Sequence, residues 1–234
     1  MGVSIVSVVA PAVLAKAVPE SRPLADRSSG AEKETRRRLF DGKSLRGWSG
    51  DSGQWVVRDG AIVGRPATNR AAVLASDDRF GTFRMTFSAR IPSGGDGALC
   101  VWGLRPTQGG GSPCRGVAFT FPTAGGWNGR SGTSLIWKSV HASPVKDPAA
   151  WIDFEILADV RTGHVRIAEN GVEVLDYVDP EPARLTAGPL SFQLAEAAGP
   201  PREIEIKDVL ADAAPRTGVL LTVNLCGVQS PAGK

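Results

Sequence analysis

Two carboxylates, Asp153 and Glu155, stand two residues apart in the segment WIDFEILAD, and this spacing could support acid–base chemistry. Side chains alternate between the faces of a β-strand, so both carboxylates would point the same way, about 6.5 to 7 Å apart. That separation is close to the distance between acid and base in glycoside hydrolysis. The alternative is an exposed sheet face on which His164 and Arg166 of the next strand pair with the two carboxylates.

Tryptophan supplies a second chemical signal, because the chain has six Trp and only one Tyr. A flat indole can stack on the C–H face of a pyranose while polar side chains hold the hydroxyls. Trp127 lies in the Gly-rich segment GGWNGR, where a large ring has little core to fill, and it is the predicted platform. Trp48 and Trp55 are instead predicted to be core residues. The residues predicted to line the same sugar-binding face as Trp127 are Asn128, Arg130, Trp102, Arg105, Trp137 and Lys138.

A few further side chains could act as acid, base or ligand. His141 follows Trp137 and Lys138 in a predicted loop and is the candidate histidine, with a simple solvated loop residue as the alternative. Glu196 and Asp96, each near a strand end, are additional carboxylate candidates. The Gly109–Gly111 run is not followed by Lys-Ser/Thr, and no G-x-S-x-G occurs, which argues against nucleotide binding and serine-hydrolase chemistry.

The elements that must position these residues are strands, because apolar residues recur with a period of two. The 28 Gly and 17 Pro break the chain into short segments. Asp59-Gly60 and Asn170-Gly171 are typical of two-residue type I′ hairpins. About ten short strands without an amphipathic helix between them predict an all-β, antiparallel two-sheet sandwich or jelly roll. The predicted strands include residues 83–91, 98–102, 117–121, 134–138, 151–159, 190–194 and 203–209.

Composition and charge define the class and the domain organisation. Hydrophobic residues make up 42% and charged residues 22%, as in globular proteins. The net charge of +3 resides in residues 1–38, so the balanced remainder argues against nucleic-acid binding.

The apolar run 3–15, followed by Ala15-Lys16-Ala17, predicts a signal peptide over residues 1–17. The run is too short to span a bilayer, and an unstructured tail is the alternative. Residues 18–38 are predicted to be a polar linker, 39–211 the domain, and 212–234 a tail.

Two features of this organisation stay open. In the tail, Val219–Leu225 is either an added edge strand or sequence outside the fold. The three cysteines, Cys100, Cys114 and Cys226, leave at least one thiol unpaired. In an exported protein Cys100 and Cys114 could bridge, because oxidising compartments permit disulfides; free buried thiols are the alternative.

Several segments of the chain form an ordered set over roughly residues 39–211. They are LFDGKSLRGW (39–48), WVVRDGAIVG (55–64), FRMTFSARI (83–91), GDGA (95–98), the strand starting at Trp151, the Asn170-Gly171 hairpin, GPL (188–190) and IEIKDV (204–209). In this order the segments resemble the 3-keto-disaccharide hydrolase domain family, long catalogued as a domain of unknown function.

The resemblance implies a concanavalin-A-like jelly roll in an exported bacterial protein that cleaves glycosidic bonds of sugars oxidised at C3. The ketone acidifies the C2 hydrogen, so cleavage can proceed by proton abstraction and elimination, followed by hydration. A general base, an acid for the leaving oxygen and an electrophile at the ketone would suffice. A divalent metal, Ca²⁺, Mg²⁺ or Zn²⁺, could be that electrophile.

The chain departs from the family pattern at two places. Where family members carry Y-E-V-Q, this chain has GVAF at 116–119, and where they carry L-Q-x-H it has FQLAE at 192–196. A carboxylate and a histidine are thus absent at matching positions, and His141 could take the vacant role. We expect a secreted or periplasmic hydrolase or lyase in which Asp153, Glu155 and His141 are catalytic and Glu196 belongs to the substrate-binding set. The alternatives are a non-catalytic carbohydrate-binding module on the same fold and a cell-surface domain without a ligand.

Overall fold

The computed structural model describes residues 36–50, 53–67, 71–92, 97–103, 116–120, 128–131, 134–138, 147, 149–194, 202–215 and 220, with side chains left out at 128–131 and 134–138. Within these ranges the chain forms fifteen strands and one 3-10 turn, Pro182–Arg184. The strands are β1 Arg37–Arg38, β2 Trp48–Gly50, β3 Trp55–Arg58, β4 Ala61–Gly64, β5 Ala72–Ser76, β6 Phe83–Arg90, β7 Gly97–Val101, β8 Val117–Thr120, β9 Asn128–Ser131, β10 Ser134–Lys138, β11 Ile152–Asp159, β12 His164–Glu169, β13 Val172–Val178, β14 Ser191–Leu194 and β15 Ile204–Asp212.

The strands form two sheets in which every pair is antiparallel, which confirms the predicted fold class. The eight-stranded sheet has the order β13-β12-β11-β6-β15-β4-β3, with β1 also pairing with β15. The seven-stranded sheet has the order β10-β9-β8-β7-β14-β5-β2. Among the described residues, no helix is long and apolar enough to cross a bilayer.

The core lies between the sheets, because each strand turns its apolar positions toward the other layer. Phe87 of β6 stacks on Phe154 of β11, with ring centroids 5.0 Å apart. It also meets Phe192 of β14 edge-on at 5.2 Å, which joins the two sheets. Trp48 stacks on Phe192 at 5.7 Å, and Trp55 is likewise buried, so the predicted core role of both tryptophans is confirmed.

Both predicted hairpins are confirmed. Asp59 and Gly60 have φ of 51° and 77° between β3 and β4, and Asn170 and Gly171 have φ of 46° and 79° between β12 and β13. Two positive φ angles in a two-residue loop define the type I′ turn, which suits the twist of the strands it joins. At the far end of the first hairpin, Gly64 lies opposite Trp55, and a Cβ there would come within 2.3 Å of the indole ring. Glycine is therefore needed at this position for the ring to pack.

The structure differs from the sequence expectations at two places. Strand β9 covers Asn128–Ser131, which the Gly-rich sequence indicates as loop. Arg37 and Arg38 lie at the end of the predicted linker but pair with Ala211 and Leu210 of β15. Because backbone pairing does not require apolar side chains, neither strand carries the alternating pattern by which strands are found in a sequence.

The single tyrosine, Tyr177 of β13, offers a direct test of the packing between sheets. Its ring meets Phe119 of β8 edge-on at 6.0 Å, and its hydroxyl donates to Asp179 Oδ2 at 3.2 Å. Burial and the neighbouring Asp179 carboxylate raise the pKa of Tyr177 from 10.0 to about 12. Because folding favours the neutral phenol, this contribution to stability is complete below pH 10 and is lost as the pH rises from about 10 to about 12.

We therefore expect the 295 nm absorbance of tyrosinate to develop only near pH 12, or earlier together with unfolding. Since the chain has one Tyr, the titration reports this group alone. Circular dichroism recorded in parallel separates the two cases. Ionisation near pH 10 with an unchanged spectrum of the folded protein would contradict the buried position.

Candidate functional site

The two predicted catalytic carboxylates share one face of β11, as their spacing predicts, and that face points away from the core between the sheets. Glu155 is nevertheless 0% exposed, and its Oε1 lies 3.0 Å from Nε of Arg84 on the neighbouring strand β6. Arg84 is itself only 4% exposed, so the two groups form a buried ion pair. A carboxylate enclosed in this way is not accessible to a substrate from solvent, and its contact with Arg84 is structural.

Asp153 has different partners from Glu155. Its Oδ1 accepts a hydrogen bond from Ser88 Oγ at 2.7 Å, and its backbone N–H donates to Oδ1 of Asn170 at 3.0 Å. The backbone N–H of Asn170 donates in return to the carbonyl oxygen of Asp153 at 2.8 Å. These bonds tie the start of β11 to the turn between β12 and β13. The structure therefore gives the two carboxylates separate structural contacts.

The alternative expectation, that His164 and Arg166 pair with these carboxylates, is met only in part. Arg166 interacts electrostatically with Glu155, but its main partner is Glu173. The register of β11 and β12 places Ala168 opposite Glu155 and Arg166 opposite Leu157. Arg166 instead makes a bidentate contact with Glu173, with both N–O distances at 2.7 Å. His164 Nε2 lies 2.6 Å from Oδ1 of Asp176. The sequence does not fix this register, because the turn at 160–163 lacks a two-residue hairpin signal.

Trp102 lies in the core between the sheets, and not on the sugar-binding face that the sequence predicts for it. The residue follows β7 with a φ of 57°, is 4% exposed, and belongs to the core between the sheets. Its Nε1 donates to the carbonyl oxygen of Gly81 at 2.7 Å. Because the ring is packed and its polar atom is satisfied inside the protein, no face of the indole is open to a sugar.

The other predicted site residues that the structure describes lie on two different sheets. Asn128 and Arg130 lie on β9 and Trp137 on β10, at one end of the seven-stranded sheet, whereas Asp153 and Glu155 lie on the eight-stranded sheet. The predicted set is thus split between the two layers and is not brought together. The remaining predicted residues, Trp127, Arg105, His141, Glu196 and Asp96, lie outside the described residues.

The outer face of the seven-stranded sheet offers a different candidate. On β14, Phe192 and Leu194 belong to the core, so Gln193 and Ser191 occupy the opposite face. The register aligns Gln193 with Ala98 of β7, Ala98 with Thr120 of β8, and Thr120 with Asn128 of β9. Asn128 is in turn opposite Lys138 of β10. We call this line across five strands the Gln193 row.

Several side chains along the Gln193 row and its neighbour are small. The parallel line runs through Ser191, Cys100, Ala118 and Arg130. Ala98, Ala118 and Thr120 are partly exposed, while Gln193, Ser191 and Cys100 are buried. An amide both donates and accepts hydrogen bonds, which suits hydroxyl and carbonyl groups of a sugar. The sequence signal was present in the alternation of SFQL and in the alanines of the adjacent strands, but it requires the strand order to be read.

Cys100 on this face is disulfide-bonded, and its partner lies outside the described residues. The chain has only two other cysteines, so the partner within the chain is Cys114 or Cys226. The bond attaches β7 to the segment that carries the partner cysteine. It excludes a free thiol at Cys100, one of the two readings of the sequence.

A divalent metal, the possible electrophile at the ketone, has no ligand set within the described part of the chain. Those residues contain no group of three or more His, Cys, Asp or Glu side chains that could hold an ion. The carboxylate and histidine candidates close in sequence to the Gln193 row, Asp96, Glu196 and His141, fall outside the described ranges.

Comparisons with known proteins agree with this architecture. The sequence profile of the 3-keto-alpha-glucoside-1,2-lyase-like domain matches residues 35–209. A candidate glycosyl hydrolase from Parabacteroides distasonis is similar over 76% of this chain and 93% of its own, with a TM-score of 0.57 and 17% identity.

Two Bacillus subtilis structures share the fold as well. A galectin-like protein of unknown function matches with a TM-score of 0.60 and 17% identity, covering 76% of this chain and 94% of its own. The carbohydrate-binding module CBM66 matches with a TM-score of 0.53 and 15% identity, covering 71% and 95%. No curated protein matches the sequence.

Proposed function

Because the chain belongs to the 3-keto-alpha-glucoside-1,2-lyase-like domain family, we propose that it cleaves the glycosidic bond of a sugar bearing a ketone at C3. We place the proposed site at the Gln193 row, which crosses five strands on the outer face of the seven-stranded sheet. On the opposite layer, Glu155 is closed off by Arg84. The seven-stranded sheet, on which Ala98, Ala118 and Thr120 are partly exposed, therefore provides the better surface for a sugar.

The proposed reaction has two steps. A base removes the proton from C2, the C1–O glycosidic bond breaks, a C1=C2 double bond forms, and the leaving alcohol takes up a proton. Water then adds across the double bond, with its hydroxyl at C1 and a proton at C2, to give the free 3-keto sugar. The negative charge that develops on the C3 oxygen needs a hydrogen-bond donor, and the side-chain amide of Gln193 is assigned this role. Glu196, three residues further along the chain, is proposed as the base and His141 as the acid.

The sugar is proposed to lie along the Gln193 row toward β9 and β10. Asn128 and Arg130 of β9 occupy register positions of this face, and Trp127 directly precedes β9. Trp137 of β10 is opposite Gly129, which aligns with the core residue Phe119, so its register position belongs to the other face. An aromatic ring and an arginine next to a face of small residues are a common combination in sugar sites. Arg105, in the segment that follows Trp102, completes the proposed binding set.

We also propose that the protein acts outside the cytosol. The disulfide at Cys100 supports this location, since reducing compartments rarely allow structural disulfides to persist. The apolar segment 3–15 and the small-x-small sequence after it are consistent with export.

The test is a proton NMR time course with methyl 3-keto-α-glucoside and with methyl α-glucoside, in D₂O. The proposal predicts methanol release from the keto sugar alone, with deuterium at C2 of the product beyond the exchange seen without protein. Gln193→Leu is expected to lower kcat/KM by roughly 10-fold to 100-fold, as for a lost hydrogen bond to a developing charge. Glu173→Gln, on the edge strand of the other sheet, is the control and should leave the rate unchanged.

A carbohydrate-binding module is the second candidate, and one observation favours it. The family carboxylate and histidine positions are occupied by residues of GVAF and FQLAE, which contain neither group at the matching places. This candidate predicts that the sugar resonances broaden in the presence of the protein and that no product forms. It also predicts that Trp127→Ala weakens binding while Glu196→Gln does not.

A further inference from the structure

Part of the outer face of the eight-stranded sheet is buried. An outer sheet face with nothing packed on it would be exposed to water. Besides Arg84 and Glu155, the outward-facing Thr86 and Ser88 of β6 are only 2% and 1% exposed. None of these four side chains belongs to the core between the sheets. Some other part of the protein must therefore lie on this face.

One described residue beyond β15 identifies that part. Leu220 is 2% exposed and forms a separate apolar cluster with Leu157 and Ala168. Leu157 is two residues from Glu155 along β11, and Ala168 is opposite Glu155 on β12. A side chain that packs on both of them is next to the Glu155 carboxylate. We propose that residues 216–225 form a strap across the outer face of the eight-stranded sheet, sealing the Arg84–Glu155 pair.

The length and starting point of the chain fit this path. Strand β15 ends at Asp212, which lies opposite Arg84, and Arg84 lies opposite Leu157. The segment must cross from β15 over β6 to the β11–β12 pair, about 14 Å at the usual spacing between strands. Eight residues reach up to about 26 to 29 Å, so the connection is long enough without strain. The proposed route passes over Arg84 and accounts for the burial of that charge.

The chemistry of the face also fits a peptide strap. Five of the seven residues in VLLTVNL (219–225) are apolar, which suits contact with Leu157 and Ala168. Thr86, opposite Glu155 in the register, has a buried Oγ1 without a hydrogen-bond partner among the described residues. A buried hydroxyl without a partner is costly, so a backbone group of the strap is expected to meet it. The folding unit then extends beyond residue 209, where the family match ends.

The full-length chain with Leu220→Ala tests the proposal, with Val56→Ala as the control. Val56 is an aliphatic residue that is 47% exposed in the same sheet. We expect Leu220→Ala to raise the unfolded-to-folded ratio in urea titrations by roughly 30-fold or more, as for a buried leucine, while the control changes it little. Amide exchange should accelerate first in β11 and β12. Equal urea midpoints for the two variants would overturn the proposal.

Truncation gives a second readout. A chain ending at residue 226 should unfold like the full chain, whereas one ending at 215 should lose stability that the synthetic peptide 213–226 restores in a concentration-dependent way. If the shorter chain does not fold, the Leu220→Ala comparison still decides. A dimer at micromolar concentration that becomes monomeric after truncation at 215 would overturn the intramolecular strap and assign the contact to a second copy.

Discussion

Replacing Glu155 by alanine is expected to lower the free energy of unfolding by about 3–5 kcal/mol, because the buried guanidinium of Arg84 would lose the carboxylate it pairs with. Urea titration followed by tryptophan fluorescence measures this loss. The matched control is Glu173→Ala, which removes a partly exposed carboxylate from its pair with Arg166 on the same sheet. That pair should contribute less than about 1 kcal/mol, since solvent screens it.

A double variant separates the charge from the packing. Arg84→Met combined with Glu155→Leu replaces the ion pair with apolar side chains, and such replacements of buried pairs are often neutral or stabilising. We therefore expect the double variant to recover most of the stability that Glu155→Ala loses. Equal urea midpoints for Glu155→Ala and Glu173→Ala would contradict the buried pair and would reopen a catalytic role for Glu155.

Loss of the disulfide at Cys100 should have the next largest effect. If the partner is Cys114, the closed loop contains about 15 residues, and opening it is expected to cost about 3 kcal/mol. Cys100→Ser and Cys114→Ser should then be equally destabilised, whereas Cys226→Ser should unfold like the parent protein. Peptide mass mapping without reductant identifies the bond directly. A linked peptide pair containing Cys100 and Cys226 would contradict this pairing and would instead fasten the C-terminal tail to β7.

Much of the fold could be predicted from local sequence. The Asp59-Gly60 and Asn170-Gly171 turns require positive φ at both positions, and few sequences other than these meet that requirement cheaply. Alternation in β6 and β11 likewise identifies the strands and the side chains that face the core. These signals are local, so a single sequence is sufficient to read them.

The site could not be predicted in the same way, because it depends on which strands become neighbours. The spacing of Asp153 and Glu155 correctly places them on one face of a strand, but the burial of Glu155 depends on Arg84, 71 positions earlier in the chain, and on a cover over the sheet. Gln193 carries no motif of its own. It becomes a candidate only when β14 lies beside β7, where Ala98 is opposite Gln193.

The location of the sugar site is tested most directly by amide NMR of the ¹⁵N-labelled protein during titration with methyl 3-keto-α-glucoside. Binding at the Gln193 row predicts chemical-shift changes in β7, β8 and β14 on the seven-stranded sheet, with little change in β6, β11 and β15. Shift changes confined to β6, β11 and β15 would contradict the proposed site and place the sugar over the Arg84–Glu155 pair.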